Sequence, residues 1–372
     1  MQAGSPTTMK GKLMKLTHLV MLSLFTMLAG DAGNAASEVR WHNAAAFEIE
    51  GRGWTNTAGI FDRLPDSAKD KVPPIAWDMS KDSAGICIRF VTDAATIGAR
   101  WSVTRSELAM PHMPATGVSG IDLYARNAKG QWRFVGNGRP YGVDNETAFT
   151  FPVGYKAPYE CLLYLPLYNG IKSIEISAPS DARLERPSPR PESQRRPVVF
   201  YGTSITQGGC VSRPGMACPA ILGRMLDRPM INLGFSGSGT MEPPVGDVLA
   251  ELDPAVYVVD CLWNTGGASQ EVYDRKVSGL VKSIRKAHPL TPIVFVGQTM
   301  IQPEAHPTDW TLKQEKAVRN LMKQGDKNLI LVPGKHLIGD DGEGTVDTVH
   351  QNDIGMLRQA ECLLPVLRKL LR

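Results

Sequence analysis

The stretch that decides the fold of the carboxyl-terminal half is Val198-Val199-Phe200-Tyr201-Gly202-Thr203-Ser204-Ile205-Thr206-Gln207-Gly208. Its first four residues are apolar and β-prone, and the Gly-Thr-Ser turn that follows predicts the end of a buried strand. Residues 219–226 then predict the first two turns of a helix. A serine at the carboxyl end of a parallel strand lies where open α/β sheets place their ligands. Ser204 is therefore a candidate nucleophile, although the same pattern is typical of phosphate-binding and purely structural turns.

Apolar segments alternate with amphipathic ones in the half of the chain that begins at this stretch. Strands are predicted at 198–201, 230–233, 256–259, 293–296 and 329–332, and helices at 242–252, 270–288, 312–324 and 353–371. This alternation predicts an α/β fold with a five-stranded, parallel, doubly wound sheet of the flavodoxin-like type. The carboxyl ends of all its strands would lie at one edge, so residues that follow each strand are candidates for a site.

Residues 38–178 show a different pattern. Short alternating or apolar runs recur there and turn residues separate them, for example at 86–91, 95–103, 120–125 and 161–165. No run keeps a helical period for three turns, so this region predicts a β-sandwich of the jelly-roll type. Residues 179–197 are rich in proline and charge and almost without apolar side chains. They predict a solvated linker to a second domain at 198–372.

The first 35 residues have the pattern of an export signal. Lys10, Lys12 and Lys15 precede an apolar run at 16–29, and small residues before Ala36 offer a cleavage site. We therefore expect a cleaved signal peptide and a secreted or periplasmic protein, without stable membrane insertion of the mature chain. With 42% hydrophobic and 21% charged residues and a formal net charge of +4, the composition is that of a globular protein. It gives no indication of a nucleic-acid partner.

Three further segments carry residues that suit a reactive site. Gly237 lies in a glycine-rich turn after the second predicted strand, and Asn264 follows the third. The segment Asp347-Thr-Val-His350 precedes the last predicted helix. Each segment alone could be a turn glycine, a polar cap or a helix cap. Their order along the chain, together with Ser204, places all four at the same sheet edge and indicates a site there.

These residue types suit the hydrolysis of an ester. Ser204 would supply the nucleophilic oxygen, and His350 would take its proton and return it to the leaving alcohol. Asp347, three residues before His350, can reach Nδ1 of that ring and fix its tautomer. The N–H groups of Ser204 and Gly237, with the side-chain amide of Asn264, can form an oxyanion hole.

The four segments resemble those of the SGNH (GDSL-type) hydrolases, which use Ser, Gly, Asn and His from four separate blocks. Gly202-Thr203-Ser204-Ile205 resembles the first block, with threonine where many members carry aspartate. Gly237 matches the second block and Asp347-Thr-Val-His350 the last. Asn264 matches the third, although Leu262 and Thr265 replace that block's outer residues.

A fifth segment extends the resemblance to the amino-terminal half. Gly120-Ile121-Asp122-Leu123-Tyr124 resembles the Gly-x-Asp-Leu-Tyr signature of a β-sandwich domain that is fused to such hydrolases. Similar two-domain esterases deacylate carbohydrates. The resemblance therefore implies a β-sandwich followed by an SGNH hydrolase domain, and an acylated carbohydrate or another small ester as the substrate.

Two loops are predicted to shape the substrate pocket. Arg213, after the nucleophile, is a candidate partner for a carboxylate on an acidic sugar, or else an ordinary surface arginine. Gln302, His306 and Trp310 follow the fourth strand and are candidates for sugar contacts. His112 is expected to be an ordinary surface or packing residue.

The six cysteines matter because the protein is expected in an oxidising compartment. Cys210 and Cys218, eight residues apart, either form a disulfide or remain small buried thiols. The other four lie in apolar runs and are predicted to be core residues: Cys87, Cys161, Cys261 and Cys362. No Cys/His cluster has the spacing of a metal site along the sequence, so we predict no metal and no cofactor.

The sequence is best interpreted as that of a serine esterase that removes O-acetyl groups from a carbohydrate. One alternative is a short-acyl esterase, lipase or thioesterase, which is disfavoured because no long apolar lid segment is visible. The other is a glycan-binding protein with an inactive hydrolase half, which the complete set of motif residues disfavours. The sugar, the acyl position and the oligomeric state are left open.

Overall fold

The parallel sheet predicted for the carboxyl-terminal half is present in the computed structural model, which describes residues 38–372. In this part of the chain its five strands are β11 (Val198–Gly202), β12 (Met230–Gly234), β13 (Val256–Asp260), β14 (Ile293–Val296) and β15 (Leu329–Val332). They run in the order β12-β11-β13-β14-β15, which is the flavodoxin-like order. The first three strands are buried on both faces, which explains their uninterrupted apolar runs.

The register of the sheet brings three strand ends level with one another. Gly202, the last residue of β11, pairs with Gly234 of β12 on one side and with Asp260 of β13 on the other. A Cβ on Gly202 would lie 2.0 Å from Oγ1 of Thr206 and 2.6 Å from the carbonyl oxygen of Asp260. Only glycine therefore permits the sharp turn from β11 into the segment that begins at Ser204.

Helices connect and cover these strands. They are α4 (Ser204–Gln207), α5 (Cys218–Leu226), α6 (Pro243–Leu249), α7 (Leu262–Thr265), α8 (Gln270–Ala287), α9 (Asp309–Lys323) and α10 (Asp353–Leu370). Helix α8 buries one face through Tyr273, Val277 and Leu280, because these apolar residues recur at three to four positions. No helix within residues 38–372 has both the length and the apolar character needed to cross a bilayer.

Antiparallel strands form the amino-terminal half. They are β1 (Val39–Asn43), β2 (Glu48–Glu50), β3 (Cys87–Thr92), β4 (Thr96–Val103), β5 (Ile121–Arg126), β6 (Trp132–Gly138), β7 (Asp144–Thr150), β8 (Tyr159–Tyr164), β9 (Ile171–Pro179) and β10 (Leu184–Glu185). One sheet has the order β1-β9-β4-β7, and the other has the order β10-β3-β8-β5-β6 with β2 paired to β3. The two sheets share a buried core, so the predicted β-sandwich is present.

Short helices lie outside the two sheets of the sandwich. They are α1 (Pro74–Met79), α2 (Ala115–Val118) and α3 (Glu192–Arg195). The sequence had not indicated the first strand, Val39–Asn43, which lies at the edge of its sheet and is mostly exposed. Its sequence alternates only weakly between apolar and polar residues, because an edge strand pairs with one neighbour and buries only part of one face.

The sandwich and the parallel sheet meet in a continuous apolar core. Met113, Tyr124 and Tyr164 of the sandwich belong to the same buried cluster as Phe200 and Ile221 of the hydrolase half. Residues Val39–Arg372 accordingly form one compact unit. The sandwich is therefore packed against the strand that leads to Ser204.

Most residues of the proline-rich segment 179–197 are exposed, but one arginine in it is buried. Arg190 is only 7% exposed and donates two hydrogen bonds to the carboxylate of Glu50, at 2.7 and 2.9 Å. It also donates to the backbone carbonyl and the carboxylate of Asp227, at 2.8 and 3.0 Å. A buried arginine therefore joins this segment to the sandwich and to the hydrolase half, a pairing that composition does not reveal.

The structure decides whether Cys210 and Cys218 form a disulfide or remain thiols. Cys210 and Cys218 are free, buried thiols, not a disulfide. Of the four predicted core residues, three are buried: Cys87, Cys161 and Cys261. The prediction for Cys362 was wrong, because its side chain lies on the exposed side of α10. The predicted signal peptide lies outside the described residues.

Candidate active site

Ser204 lies at the point where β11 turns into α4. Thr203 caps that helix, since its hydroxyl oxygen accepts a hydrogen bond of 3.2 Å from the N–H of Ile205. Gly208, at φ +114°, ends the helix after a single turn. Ser204 is only 7% exposed, so its hydroxyl is held in one place at the edge of the sheet.

The structure brings Ser204, His350 and Asp347 into a single chain of hydrogen bonds. Oγ of Ser204 lies 2.9 Å from Nε2 of His350, and Nδ1 of His350 lies 2.7 Å from Oδ2 of Asp347. Ser204 is separated from His350 by 146 residues, so the fold alone brings the two together. This is the arrangement in which a carboxylate orients an imidazole toward a hydroxyl.

Asp347 is held by the turn that carries His350. Its Oδ1 accepts the backbone N–H groups of Val349, at 3.1 Å, and of His350, at 2.7 Å. Thr348 adopts φ +74°, an uncommon conformation for a β-branched residue, and so allows the tight turn. Burial raises the pKa of Asp347, but the hydrogen bonds from the ring and the N–H groups outweigh this and hold it below its usual range. The carboxylate is therefore ionised at neutral pH.

Gly237 lies on the loop that follows β12, beside the end of β11. It has φ +72°, and a Cβ there would meet only a side-chain atom of Ile75, at 3.7 Å. The neighbouring N–H groups are engaged, since Ser236 donates to Oε1 of Gln207 at 2.9 Å and Ser238 donates to the Phe235 carbonyl at 3.0 Å. The loop is thus fixed on both sides of Gly237.

Asn264 lies in α7, directly after β13, on the other side of β11. Its side-chain Nδ2 donates a hydrogen bond to the backbone carbonyl of Ser238. Asn264 is partly exposed, and this bond ties the loop after β13 to the loop after β12. An amide carries two N–H donors, so one remains for a further partner.

Arg213, the candidate partner for a sugar carboxylate, is paired with residues of the sandwich. Its guanidinium donates to Oδ2 of Asp122 at 2.9 Å and to the hydroxyl of Tyr124 at 2.5 Å. It also lies over the ring of Phe134, 3.9 Å from the centroid. Asp122 is fully buried and accepts the N–H of Gly215 at 2.9 Å as well. The Asp-Leu-Tyr signature thus binds the loop that follows the nucleophile, through the side chain of Arg213.

The other three predicted substrate residues lie on the segment between β14 and α9. Gln302 is exposed. Trp310 packs edge-on against Trp263, with centroids 6.1 Å apart, and fills the space beside Gly266. Both ring nitrogens of His306 are buried without a partner in the described chain, and burial lowers its pKa. Within residues 38–372, none of these three side chains forms a hydrogen bond with the Ser204–His350–Asp347 chain.

The sandwich supplies a supporting residue that the sequence analysis had missed. The hydroxyl of Tyr168 donates a hydrogen bond of 3.1 Å to the backbone carbonyl of Ser204. Tyr168 lies in the segment between β8 and β9, which has no motif of its own. The sequence around Tyr168 does not indicate this contact, because the contact depends only on how the two halves pack.

Gln207 links the nucleophile helix to the loop of Gly237. Its Oε1 accepts the N–H of Ser236, and its Nε2 donates to Oδ2 of Asp82 at 3.0 Å. Asp82 is fully buried, and Arg105 donates to its other carboxylate oxygen. Burial raises the pKa of Asp82 while Arg105 opposes this effect. Residues of the amino-terminal half therefore hold both loops that border Ser204.

A second missed feature is a cluster of possible metal ligands beside Ser204. One ligand atom each from His112, Cys210 and His350 lie within 4.8 Å of one another. His112 was predicted to be an ordinary surface or packing residue, but its ring lies 5.7 Å from that of His350, centroid to centroid. The sequence could not show this cluster, because its members come from three separate segments.

The family relationships of the two halves agree with this architecture. Residues 195–368 match the GDSL-like lipase/acylhydrolase family. Residues 39–184 match GxDLY, the N-terminus of SGNH-hydrolase-type esterases. No curated protein matches the chain.

Among solved structures, a protein of Bacteroides ovatus ATCC 8483 described as a GDSL-like lipase is 33% identical, with a TM-score of 0.79 over 90% of this chain and 98% of its own. The salicylyl-acyltransferase SsfX3 from a tetracycline biosynthetic pathway is 18% identical, with a TM-score of 0.69 over 91% and 98% of the two chains. A family two carbohydrate esterase from Cellvibrio japonicus is 14% identical, with a TM-score of 0.58 over 90% and 98%. The last two show a shared fold alone. The chain belongs to the GDSL-like lipase/acylhydrolase family and carries the GxDLY type of amino-terminal domain.

Proposed function

We propose that this protein is a serine esterase that removes O-acetyl groups from a carbohydrate. The observation that carries the proposal is the chain of hydrogen bonds from Oγ of Ser204 through His350 to Asp347, at 2.9 and 2.7 Å. A hydroxyl, an imidazole and a carboxylate in this order are the groups that acyl transfer requires. Family membership supports the reaction type at the coarser level of an esterase.

The reaction follows from these contacts. Nε2 of His350 takes the Ser204 proton as Oγ bonds to the ester carbonyl carbon, and the carbonyl oxygen becomes an oxyanion. The C–O bond to the sugar then breaks, and the imidazolium gives its proton to the departing hydroxyl. Water attacks the acetyl-serine in the same way, with His350 again accepting a proton and returning it to Oγ. The products are acetic acid and the deacetylated sugar. Asp347 stabilises the imidazolium in both halves.

Three donors are proposed to stabilise the oxyanion. The N–H of Ser204 begins a helix and so needs no intrahelical partner. Gly237 and Asn264 lie on the loops that follow the two strands beside β11. Asn264 has a second N–H besides the one that it gives to Ser238. Such donors act most strongly on the charge that develops in the transition state.

The substrate class rests on two further arguments. The family two carbohydrate esterase from Cellvibrio japonicus has the same fold across both halves of this chain, which makes an acetylated carbohydrate the first class to test. Ile75 is about half exposed and lies beside Gly237, so an apolar side chain borders the proposed oxyanion site. A short acyl group would contact it without needing a long apolar channel. We further propose that the protein is exported, since residues 1–35 have the pattern of an export signal.

The test is turnover of 4-nitrophenyl esters by the purified protein. Acetate should be hydrolysed faster than octanoate, and Ser204→Ala should abolish turnover with an unchanged melting temperature. Activity is then measured as acetate release from acetylated xylan, mannan and pectin. Retention of more than about a hundredth of the wild-type kcat in Ser204→Ala would rule out this nucleophile. Preference for octanoate, without acetate release from any polysaccharide, would favour a lipase.

A further inference from the structure

The cluster beside Ser204 consists of one residue from the sandwich and two from the hydrolase half. His112 lies between β4 and α2, Cys210 follows α4, and His350 precedes α10. Their ligand atoms lie within 4.8 Å of one another. Cys210 is a free thiol, so its sulfur is available.

The segment that carries Cys210 is held in place by its own contacts. The N–H of Cys210 donates to the carbonyl of Gln351 at 2.9 Å. The next residue but one, Ser212, donates its N–H to Oδ1 of Asp353 at 2.8 Å and accepts a hydrogen bond of 2.5 Å from the Thr116 hydroxyl. The thiol is therefore positioned by both halves before any ligand arrives. Cys210 is buried and His112 is exposed, so the cluster opens to solvent on the histidine side.

A thiolate and two imidazoles form a ligand set that suits Zn²⁺. Zinc binds sulfur at about 2.3 Å and imidazole nitrogen at about 2.0–2.1 Å in a tetrahedron, which places ligand atoms roughly 3.5 Å apart. The ligand atoms lie as much as 4.8 Å apart, so binding of the cation requires side-chain rotations that bring them closer by up to about 1.3 Å. The fourth position would remain for water.

We propose that His112, Cys210 and His350 form an inhibitory site for a thiophilic divalent cation such as Zn²⁺. The proposal rests on the proposed function, because the cation would bind the nitrogen of His350 that is proposed to act as the base. Nδ1 of His350 is held by Asp347, so Nε2 is the atom that can bind a cation. This is the same nitrogen that contacts Oγ of Ser204. Bound cation and ester turnover therefore exclude each other.

Proton balance is consistent with this site. Binding replaces the thiol proton, which is released to solvent, and needs no oxidant or other reactant. His350 binds as the neutral imidazole.

The first experiment measures how free Zn²⁺ inhibits the hydrolysis of 4-nitrophenyl acetate by the purified protein. Wild-type enzyme should be inhibited at micromolar Zn²⁺ and recover when EDTA is added. His112→Ala and Cys210→Ser should each raise the inhibition constant at least tenfold while keeping ester turnover. Cys362→Ser is the matched control, because it removes an exposed thiol outside the cluster and should leave inhibition unchanged. Equal inhibition of all four proteins, or none below millimolar Zn²⁺, would overturn the proposal.

A second experiment does not depend on turnover. Cd²⁺ is titrated into Ser204→Ala, and the ultraviolet charge-transfer absorption of the Cd²⁺–thiolate bond is followed. The band should saturate at one equivalent of Cd²⁺. It should be absent from the double variant with Ser204→Ala and Cys210→Ser, and weaker in the double variant with Ser204→Ala and His112→Ala. If the band saturates in Ser204→Ala but the wild-type protein has no esterase activity, the proposed function is contradicted and the cation site stands. Esterase activity without a Cys210-dependent band would contradict the cation site alone. Circular dichroism confirms that each variant is folded.

Discussion

The hydroxyl of Tyr168, in the sandwich, donates a hydrogen bond of 3.1 Å to the backbone carbonyl of Ser204, in the hydrolase half. That carbonyl also accepts the N–H groups of Gly208 and Gly209, each at 3.0 Å. The backbone of the proposed nucleophile is thus fixed from outside its own domain. The sandwich therefore contributes to the site by holding the backbone of Ser204 in position.

Tyr168→Phe should lower kcat about fivefold and leave KM nearly unchanged, because one hydrogen bond of about 1 kcal/mol then no longer holds Ser204. Tyr164→Phe is the matched control. Tyr164 is a buried tyrosine of the same half, whose hydroxyl donates instead to the Ala220 carbonyl at 3.4 Å. Both variants should lose similar thermal stability. If both also lose kcat equally, Tyr168 has no positioning role.

Asp347→Asn should reduce kcat by roughly a thousandfold or more, since the amide favours the wrong tautomer of His350. Steady-state kinetics with 4-nitrophenyl acetate measures the effect, and the melting temperature should change little. A loss of less than about tenfold would mean that Ser204 and His350 work as a pair and that another group orients the ring.

Asn264→Ala should lower kcat by about a hundredfold with KM nearly constant, if its amide donates to the oxyanion. Asn264→Asp should be at least as damaging, because it removes a donor and adds negative charge. Thr265→Ala is the control for the turn, since the Thr265 hydroxyl caps it through the Cys261 carbonyl at 2.9 Å. If Asn264 only supports the loop of Ser238, all three variants will lose stability and keep a nearly normal kcat per folded molecule.

Asp122→Ala should lower the free energy of unfolding by about 3 kcal/mol, because it leaves Arg213 without its carboxylate in a largely buried interface. Urea denaturation measures this change. Glu175→Ala provides the comparison, since Glu175 pairs with Arg100 at 2.5 Å on the sandwich surface and should cost less than about 1 kcal/mol. Similar losses in the two variants would show that the Arg213 pair does not hold the halves together.

Asp260→Asn should stabilise the protein at high pH and not at low pH. Burial raises the pKa of Asp260 to about 6, against the opposing hydrogen bond from Gln359. An acid with a raised folded-state pKa is stabilising below its unfolded pKa of about 3.9, and this contribution is lost as the pH rises through about 6. The advantage of asparagine should therefore grow from near zero at about pH 4 to at most about 3 kcal/mol at about pH 8. Urea melts of both proteins across this range test it, and a difference that does not vary with pH would contradict it.

Local sequence patterns were sufficient to predict the strands of the parallel sheet. The five strands of the parallel sheet were predicted to within one residue at each end, because a strand buried on both faces needs an unbroken apolar run. The contact of Asp347 with His350 was also foreseeable, since three residues separate them and a single turn brings them together. The positions of Ser204, Gly237 and Asn264 followed from the rule that parallel strands end at one edge.

Tertiary structure alone decided which side chains meet across the two halves. Arg213 pairs with Asp122 across 91 residues, and Tyr168 contacts Ser204 across 36. His112 joins Cys210 and His350, and Arg190 is buried in a segment whose composition predicted solvent. The physical reason is that a periodic pattern records whether a residue is covered, but not by which residue. The partner is set by how two surfaces pack, and that depends on the whole chain at once.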